Sequence, residues 1–478
     1  MKSASRRAVL QKMLTSLGTM VCVKTVGAWS ESLSNVGSLR AWMTTGAKRF
    51  EEVSVPAWQT RSTLSEEPSR PAIEIDPGQC FQSVLGFGGA FTDASCYLFS
   101  RMSPDRRRHL LEEFFSPDGL QLSVCRTCIG SSDYSCSAYT YDDCPTPDPG
   151  LSRFSIEHDR AYILPTLREA AEINPDLYFF STPWSPPAWM KTGDSLFGGS
   201  MRKQFFSSYA QYFVKFIEAY KTAGINIRAV TIQNEVDTDQ DGKMPAALWG
   251  QEYEDQFIKE FLGPALSGAS LDTKIWLLDH NFNLWGRAMD LLSDPEVFRY
   301  VDGVAWHAYA GEPGAMTKVH DSFPTKNAYY TEGGPFFNAP DYLSDWAKWS
   351  ANYAQILRNW ARCAVAWNLV LDEQGRPNIG PFTCGGVVTV DSKTQELSRS
   401  GQYWALAHYS KTVRRGARVI STQCSTPGIE HVAFANPDGT YVLVLTNQGK
   451  ECEFQCRFKD QAICAALPAD SVLTLQWA

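Results

Sequence analysis

Between residues 84 and 371 the chain repeats one phrase eight times. A short apolar run ends in glycine, a polar or an acidic residue, and most runs are followed by a longer stretch whose apolar residues recur at helical spacing. The runs are Val84–Phe91, Leu122–Ile129, Leu177–Trp184, Ile227–Asn234, Lys274–Asp279, Gly303–Tyr309, Asn327–Thr331 and Ala364–Leu371. Helices are expected over Asp105–Phe115, behind a Ser103-Pro104 start, and over Ile156–Ile173, Arg202–Ala223, Gln251–Leu266, Trp285–Leu292 and Ser344–Arg362. In Arg202–Ala223 the aromatic side chains of Phe205, Tyr209, Tyr212, Phe213, Phe216 and Tyr220 form one stripe, and Gly224 supplies the stop. Eight strands alternating with helices over about 330 residues indicate an α/β fold of the (β/α)8 TIM-barrel kind. An open doubly wound sheet is the architectural rival.

After Lys411 the pattern changes to strands alone: Arg418–Ser421, Glu430–Ala435, Tyr441–Leu445, Glu453–Phe458 and Val472–Trp477. Asn436-Pro437-Asp438-Gly439 is a hairpin turn between two of them. About 65 residues of antiparallel β structure are few for independent folding, so this module is expected to pack on the barrel and to recruit strands from residues 45–82. The resulting division is an export signal at 1–28, a lead-in with strands for the side domain at 29–81, the barrel at 82–411, and a small antiparallel β-sandwich side domain completed by 412–478.

The signal rests on Ser5-Arg6-Arg7-Ala8-Val9-Leu10, a modest apolar run to Val23, and small residues at Val26-Gly27-Ala28. This looks like a twin-arginine export signal, which implies a periplasmic or extracellular protein. A frayed tail is the bland alternative. The run is interrupted by Lys12, Thr15, Ser16 and Lys24 and is shorter than the ~20 apolar residues of a spanning helix, so no membrane span is expected. Setting aside Cys22, twelve cysteines remain, an even number that permits disulfides without fixing their pairing.

The formal net charge is −8, and the first 28 residues hold five basic side chains and no acidic one, so the remainder is more acidic still. That balance excludes nucleic acid and anionic membrane as main partners and favours a neutral ligand. No metal site or cofactor is expected. Cys125-Arg-Thr-Cys128 lacks a second pair, and the seven histidines show no ligand spacing. Gly86-Phe-Gly88-Gly89-Ala-Phe91 lacks the last glycine of a dinucleotide loop, and Gly193-Asp-Ser195-Leu196 lacks the aspartate and histidine of an esterase.

In a barrel of this kind the reactive groups sit where strands end. Two carboxyls stand out there: Glu235, behind Asn234 at the end of the fourth run, and Glu332, at the end of the seventh before Gly333-Gly334. A carboxyl pair across one barrel mouth is what glycosidic cleavage needs, one to protonate the leaving oxygen and one to attack or stabilise the anomeric carbon. The gap between them, which decides retention or inversion, is not readable from sequence.

Four motifs carry a resemblance: Gly86-Phe-Gly-Gly-Ala-Phe-Thr-Asp93-Ala94, Ser181-Thr-Pro-Trp184-Ser-Pro-Pro-Ala-Trp189-Met-Lys191-Thr, Thr231-Ile-Gln-Asn234-Glu235 and Thr331-Glu332-Gly333. In this order and at these strands they resemble glycoside hydrolase family 30, the glucosylceramidase and endo-β-1,6-glucanase group, from about Gln82 to Trp477. The resemblance implies a retaining β-glycosidase with Glu235 as acid/base and Glu332 as nucleophile, acting on a β-glucan, glucoside or glycolipid without a cofactor. It implies that Asn234 bonds the sugar 2-hydroxyl and that Arg126 is a fixed cation beside the nucleophile. Asp133 and Trp184 then hold the nonreducing glucose, and His307, Tyr309 and Trp367 complete the pocket. Val236 departs from the family's proline, the acidic loop Asp237–Lys243 is unusual, and Gly334-Pro335 replaces the usual residues after the nucleophile. These departures flank the aglycone side and leave the catalytic pair untouched. A β-xylosidase or xylanase of the same family, and a carbohydrate-binding protein without turnover, are the alternatives. Oligomeric state is not legible.

Overall fold

The computed structural model describes residues 38–63, 70–424 and 426–478. The export signal expected at 1–28 lies outside them. All eight apolar runs become parallel strands: Gly86–Phe91, Val124–Ile129, Tyr178–Pro183, Ile227–Thr231, Lys274–Asn281, Val301–His307, Asn327–Glu332 and Ala361–Asp372. They pair in chain order, and the eighth strand hydrogen-bonds both the seventh and the first. The sheet therefore closes into a barrel, which removes the open-sheet alternative.

Closure demands tight contact between the first two strands. A Cβ on Gly88 would lie 1.6 Å from the carbonyl oxygen of Val124, so the glycine-rich motif is a close-approach device of the barrel wall. Outside the wall, helix Phe206–Thr222 buries the aromatic stripe read from its spacing.

Inside the barrel the period of two builds layers. Val124, Phe180, Ala229, Trp276, Ala305, Tyr329, Cys363 and Val365 form an apolar plug, with Trp276 and Tyr329 stacked at 3.8 Å. Two residues further along their strands come Arg126, Thr182, Thr231, His307, Thr331 and Trp367. The plug is thus the dry floor beneath a polar layer. On the fifth strand that step would deliver Leu278, but the pairing jumps from Ala305↔Leu278 to Trp306↔His280. This bulge, with Leu278 and Asp279 both at positive φ, sends Leu278 to the outer core and Asp279 inward.

Several local expectations need correction. Helix Trp346–Arg358 stops short of Arg362, because Trp360 takes φ 77° and the eighth strand already begins at Ala361. Helices Asp93–Arg101, Pro295–Tyr300, Gly314–Ser322 and Gly401–Ser410 were not anticipated. Neither was the hairpin of Gly386–Val390 and Leu397–Arg399, which extends the long eighth strand beyond the barrel. The twelve described cysteines are all free thiols. Cys125 joins the outer core and Cys128 the inner cluster around Trp184, because residues three apart on a strand face opposite ways.

The second sheet has ten strands, four from the N-terminal side (Arg40–Thr45, Lys48–Glu52, Gln59–Thr60, Ala72–Ser83) and six from the C-terminal side (Arg418–Gln423 to Ser471–Trp477). Both ends of the chain therefore build it, and the Asn436–Gly439 turn joins strands Ile429–Ala435 and Tyr441–Asn447. One pairing, Ala72–Ser83 with Cys452–Phe458, is parallel in this otherwise antiparallel sheet. Helices Trp346–Arg358 and Gly401–Ser410 lie between barrel and sheet. His408, fully buried in the second of these helices, bonds Thr474 through Nδ1 and Thr44 through Nε2, each at 2.8 Å, and so ties the last and first strands to the barrel.

Burial without a carboxylate partner holds the His408 imidazole neutral, down to about 3. Below pH ~6.5 the unfolded chain takes a proton that the folded chain refuses, so this residue costs stability as pH falls from ~6.5 towards 3, at about 1.4 kcal/mol per pH unit. Urea unfolding over that range should show His408→Gln losing stability with pH less steeply than the wild type; parallel curves would refute this.

Candidate active site

At the C-terminal mouth of the barrel the strand ends surround a cavity of about 380 Å3. Its wall includes Asp133, Trp184, Asn234, Glu235, Tyr309, Glu332 and Trp367, seven of the nine residues singled out from sequence. Arg126 and His307 do not reach it. Both are fully buried just behind the carboxylates.

Arg126 organises the floor. One end of its guanidinium ion-pairs with Glu332, and Nη2 donates to Asn234 Oδ1 and Asp279 Oδ2, each at 2.8 Å. Its carbon lies 4.7 Å from the Trp184 ring centre and 5.4 Å from that of Trp367, and the two indoles stack at 5.0 Å. Asp279 accepts further bonds from Thr182, Thr231, Thr331 and His307. Burial opposes its charge, but Arg126 and the bonds to His307 and Thr331 hold the carboxyl below the usual range.

Glu332 ends the seventh strand. Tyr309 donates to its Oε1 at 3.0 Å, and His307 Nε2 lies 3.8 Å from its other oxygen. The next residue must be glycine, since a Cβ on Gly333 would stand 1.9 Å from the Tyr330 hydroxyl. The Gly333 carbonyl accepts from the Trp367 amide and from Gln402.

Glu235 lies across the cavity in a strained backbone, φ 55°, with its amide donating to the Asp279 carbonyl. His307 Nδ1 is 3.4 Å from its Oε1, and Gln240 donates to Oε2. Burial pushes the Glu235 carboxyl up, yet the bond and charge of His307, with His280 and Arg126, outweigh it and leave it below the ordinary value. Burial likewise opposes the His307 cation, but Glu332, Asp279 and Glu235 raise it to about 9. His307 thus bridges the two glutamates. Asp133 is different. Burial, then the charges of Glu332 and Glu235, push its carboxyl well above the usual range, and its Oδ1 has no protein partner. It presents an unsatisfied polar atom at the cavity wall.

With this geometry in view, residues 84–413 match the glycosyl hydrolase family 30 TIM-barrel domain and residues 416–475 the beta sandwich domain of that family. The chain belongs to glycosyl hydrolase family 30. It is 31% identical to an endo-1,6-beta-D-glucanase of Trichoderma harzianum, over 92% of this chain and 93% of the relative. It is 32% identical to the lysosomal acid glucosylceramidase of Mus musculus, over 88% and 85%. Among solved structures, the endo-beta1,6-glucanase BT3312 superposes with a TM-score of 0.83 at 30% identity, covering 92% of this chain and 100% of that one.

Within this family 30 hydrolase, four residues that sequence reasoning did not single out shape the site. Asp279 closes the fifth apolar run, so the rule applied to the fourth and seventh runs would have found it. His280 enters beside it only because of the bulge. Gln240 arrives from the acidic loop, whose Asp237 bonds His280 Nε2 at 2.7 Å. Glu254 supports the bulge from outside: it is fully buried, accepts from the Leu278 amide, and pairs with Arg287 at 2.7 Å. Its carboxylate has no sequence signal beyond a polar position on a helix.

Glu254→Gln leaves the Arg287 cation buried without its counter-charge. The variant should lose about 3 kcal/mol of stability, a typical cost of breaking a buried pair, measured by denaturant unfolding. A loss within ±0.5 kcal/mol would assign the pair no supporting role.

Proposed function

We propose that this family 30 protein is an exported retaining β-glycosidase, with Glu332 as nucleophile and Glu235 as acid/base, and that its substrate is β-1,6-glucan. The convergence of the two glutamates on one cavity, joined from behind by His307, carries the reading. Similarity to endo-1,6-glucanases over nearly the whole chain supports the substrate, and the Ser5-Arg6-Arg7 start supports export.

The sugar sits with its anomeric carbon over Glu332. A proton passes from His307 Nδ1 to Glu235 and on to the glycosidic oxygen as Glu332 forms the ester bond and the aglycone leaves. Water then enters, Glu235 takes its proton and hands it back to His307 Nδ1, and hydroxide attack releases the sugar and restores Glu332, with net retention. Asn234, oriented by Arg126, is placed for the 2-hydroxyl, whose bond strengthens in the oxocarbenium-like transition state. Asp133 and Trp184 hold the far side of the ring.

A second reading, cleavage of glucosylceramide, is favoured by the aromatic rim of the mouth. Phe336 and Phe382 are both exposed there and suit an apolar aglycone. Products from β-1,6-glucan, glucosylceramide and xylan assayed in parallel decide between the substrates. Gluco-oligosaccharides from the first are expected; release only of ceramide, or only of xylo-oligosaccharides, would replace the glucanase reading.

Glu332→Gln should abolish turnover of aryl β-glucosides while the fold persists. Glu235→Gln should slow poor leaving groups by about 10²–10⁴-fold and activated ones far less. Equal losses across leaving groups, or an α-anomer as the first product by NMR, would overturn these roles.

A further inference from the structure

The acid/base glutamate is embedded in more imidazole than proton transfer requires. His280 Nδ1 lies 3.6 Å from Glu235 Oε1 and His307 Nδ1 lies 3.4 Å from the same oxygen. All three ligand-type atoms fall within 4.8 Å of one another. A tetrahedral ion with ligands at ~2.0–2.1 Å has edges of about 3.3–3.4 Å between them, so the two edges that meet at Glu235 Oε1 already have that length to within a few tenths of an ångström, and the two imidazoles need only turn toward a common centre from within 4.8 Å of each other.

Two further observations point to a ligand. His280 is buried, yet its Nδ1 has no hydrogen-bond partner although it is aimed at the carboxylate. Each ring is also held by a carboxylate on its far nitrogen: Asp237 at 2.7 Å from His280 Nε2, and Asp279 at 3.1 Å from His307 Nε2. A carboxylate behind the imidazole fixes the tautomer that presents the other nitrogen to a metal. Both Asp237 and His280 stand outside the four motifs that carry the family resemblance. Gln240 meanwhile holds the second oxygen of Glu235, leaving Oε1 for the shared point.

We propose that Glu235 Oε1, His280 Nδ1 and His307 Nδ1 form a binding site for a divalent zinc-class ion, with its fourth position open to the cavity. Two imidazoles and one carboxylate suit Zn2+ and disfavour Mg2+, which prefers oxygen ligands. Binding engages the Glu235 oxygen that would donate to the leaving group, so the ion acts as a reversible inhibitor. The binding site stands on its own geometry, and only the inhibition rests on the hydrolase reading.

Isothermal titration of the chelator-treated full chain with ZnCl2 and with MgCl2 tests the site. One Zn2+ per chain is expected here, weakened at least ten-fold in His280→Asn and about ten-fold or more in Asp237→Asn, with no Mg2+ signal. Crystals soaked in ZnCl2 should show an anomalous peak among the three atoms. No peak there, peaks only at cysteine sulfurs, or affinity unchanged in both variants would overturn the site. For the inhibition, Zn2+ should suppress aryl β-glucoside hydrolysis reversibly to EDTA, with ten-fold more ion needed for His280→Asn. Full activity with the site occupied would overturn inhibition, while a protein inert on every glycoside but still binding Zn2+ would sink only the hydrolase reading.

Discussion

A guanidinium sealed from water beneath the cavity sets the terms for everything above it. Placing an isolated cation there costs several kcal/mol even after relaxation, so the surrounding strands must supply acceptors in fixed positions. Asp279 and Glu332 bring charge, Asn234 and Thr182 bring dipoles, and two indoles bring π faces. Arg126 thereby gathers groups from the second, third, fourth, fifth, seventh and eighth strands. The amide of Asn234 and the carboxylate of Glu332 cannot drift apart without leaving the cation unpaired, which makes their mutual placement a condition of folding as well as of chemistry.

The eight runs were legible because buried barrel strands read as dense apolar segments, and the two glutamates were legible because they close such segments. What was not legible shares a physical cause. The bulge at Leu278–Asp279 changes which residues face inward without changing composition, so His280 looked like one scattered histidine. Glu254 and Arg287 meet 33 residues apart through a fold not written in either neighbourhood. Trp360 fits the apolar stripe of the preceding helix, and only its positive φ breaks the periodicity. The hairpin at residues 386–399 follows an eighth strand that outruns the barrel, a length that alternation alone does not specify.

The unusual loop after Glu235 has a consistent role. Val236, which departs from the family's proline, is fully buried and its carbonyl accepts from the Trp249 amide. The loop then turns back through positive φ at Gln240 and Asp241 and returns two side chains to the site. Gln240 fixes an oxygen of Glu235, and Asp237 fixes the His280 imidazole beside it. Of the departures from the family pattern, Val236 and the acidic loop surround Glu235, while Gly334-Pro335 follows Glu332, which keeps its glycine, its tyrosine and its arginine.

The sheet beside the barrel has a temporal consequence. Strand Arg40–Thr45 takes its partner from Ser471–Trp477, the last strand of the chain. During synthesis Lys48–Glu52 can cover one edge of this strand at once, but its other edge waits until residues 471–477 have been made. The barrel strands, all between residues 86 and 372, can close earlier, so the seam between Arg40–Thr45 and Ser471–Trp477 is a late event of assembly.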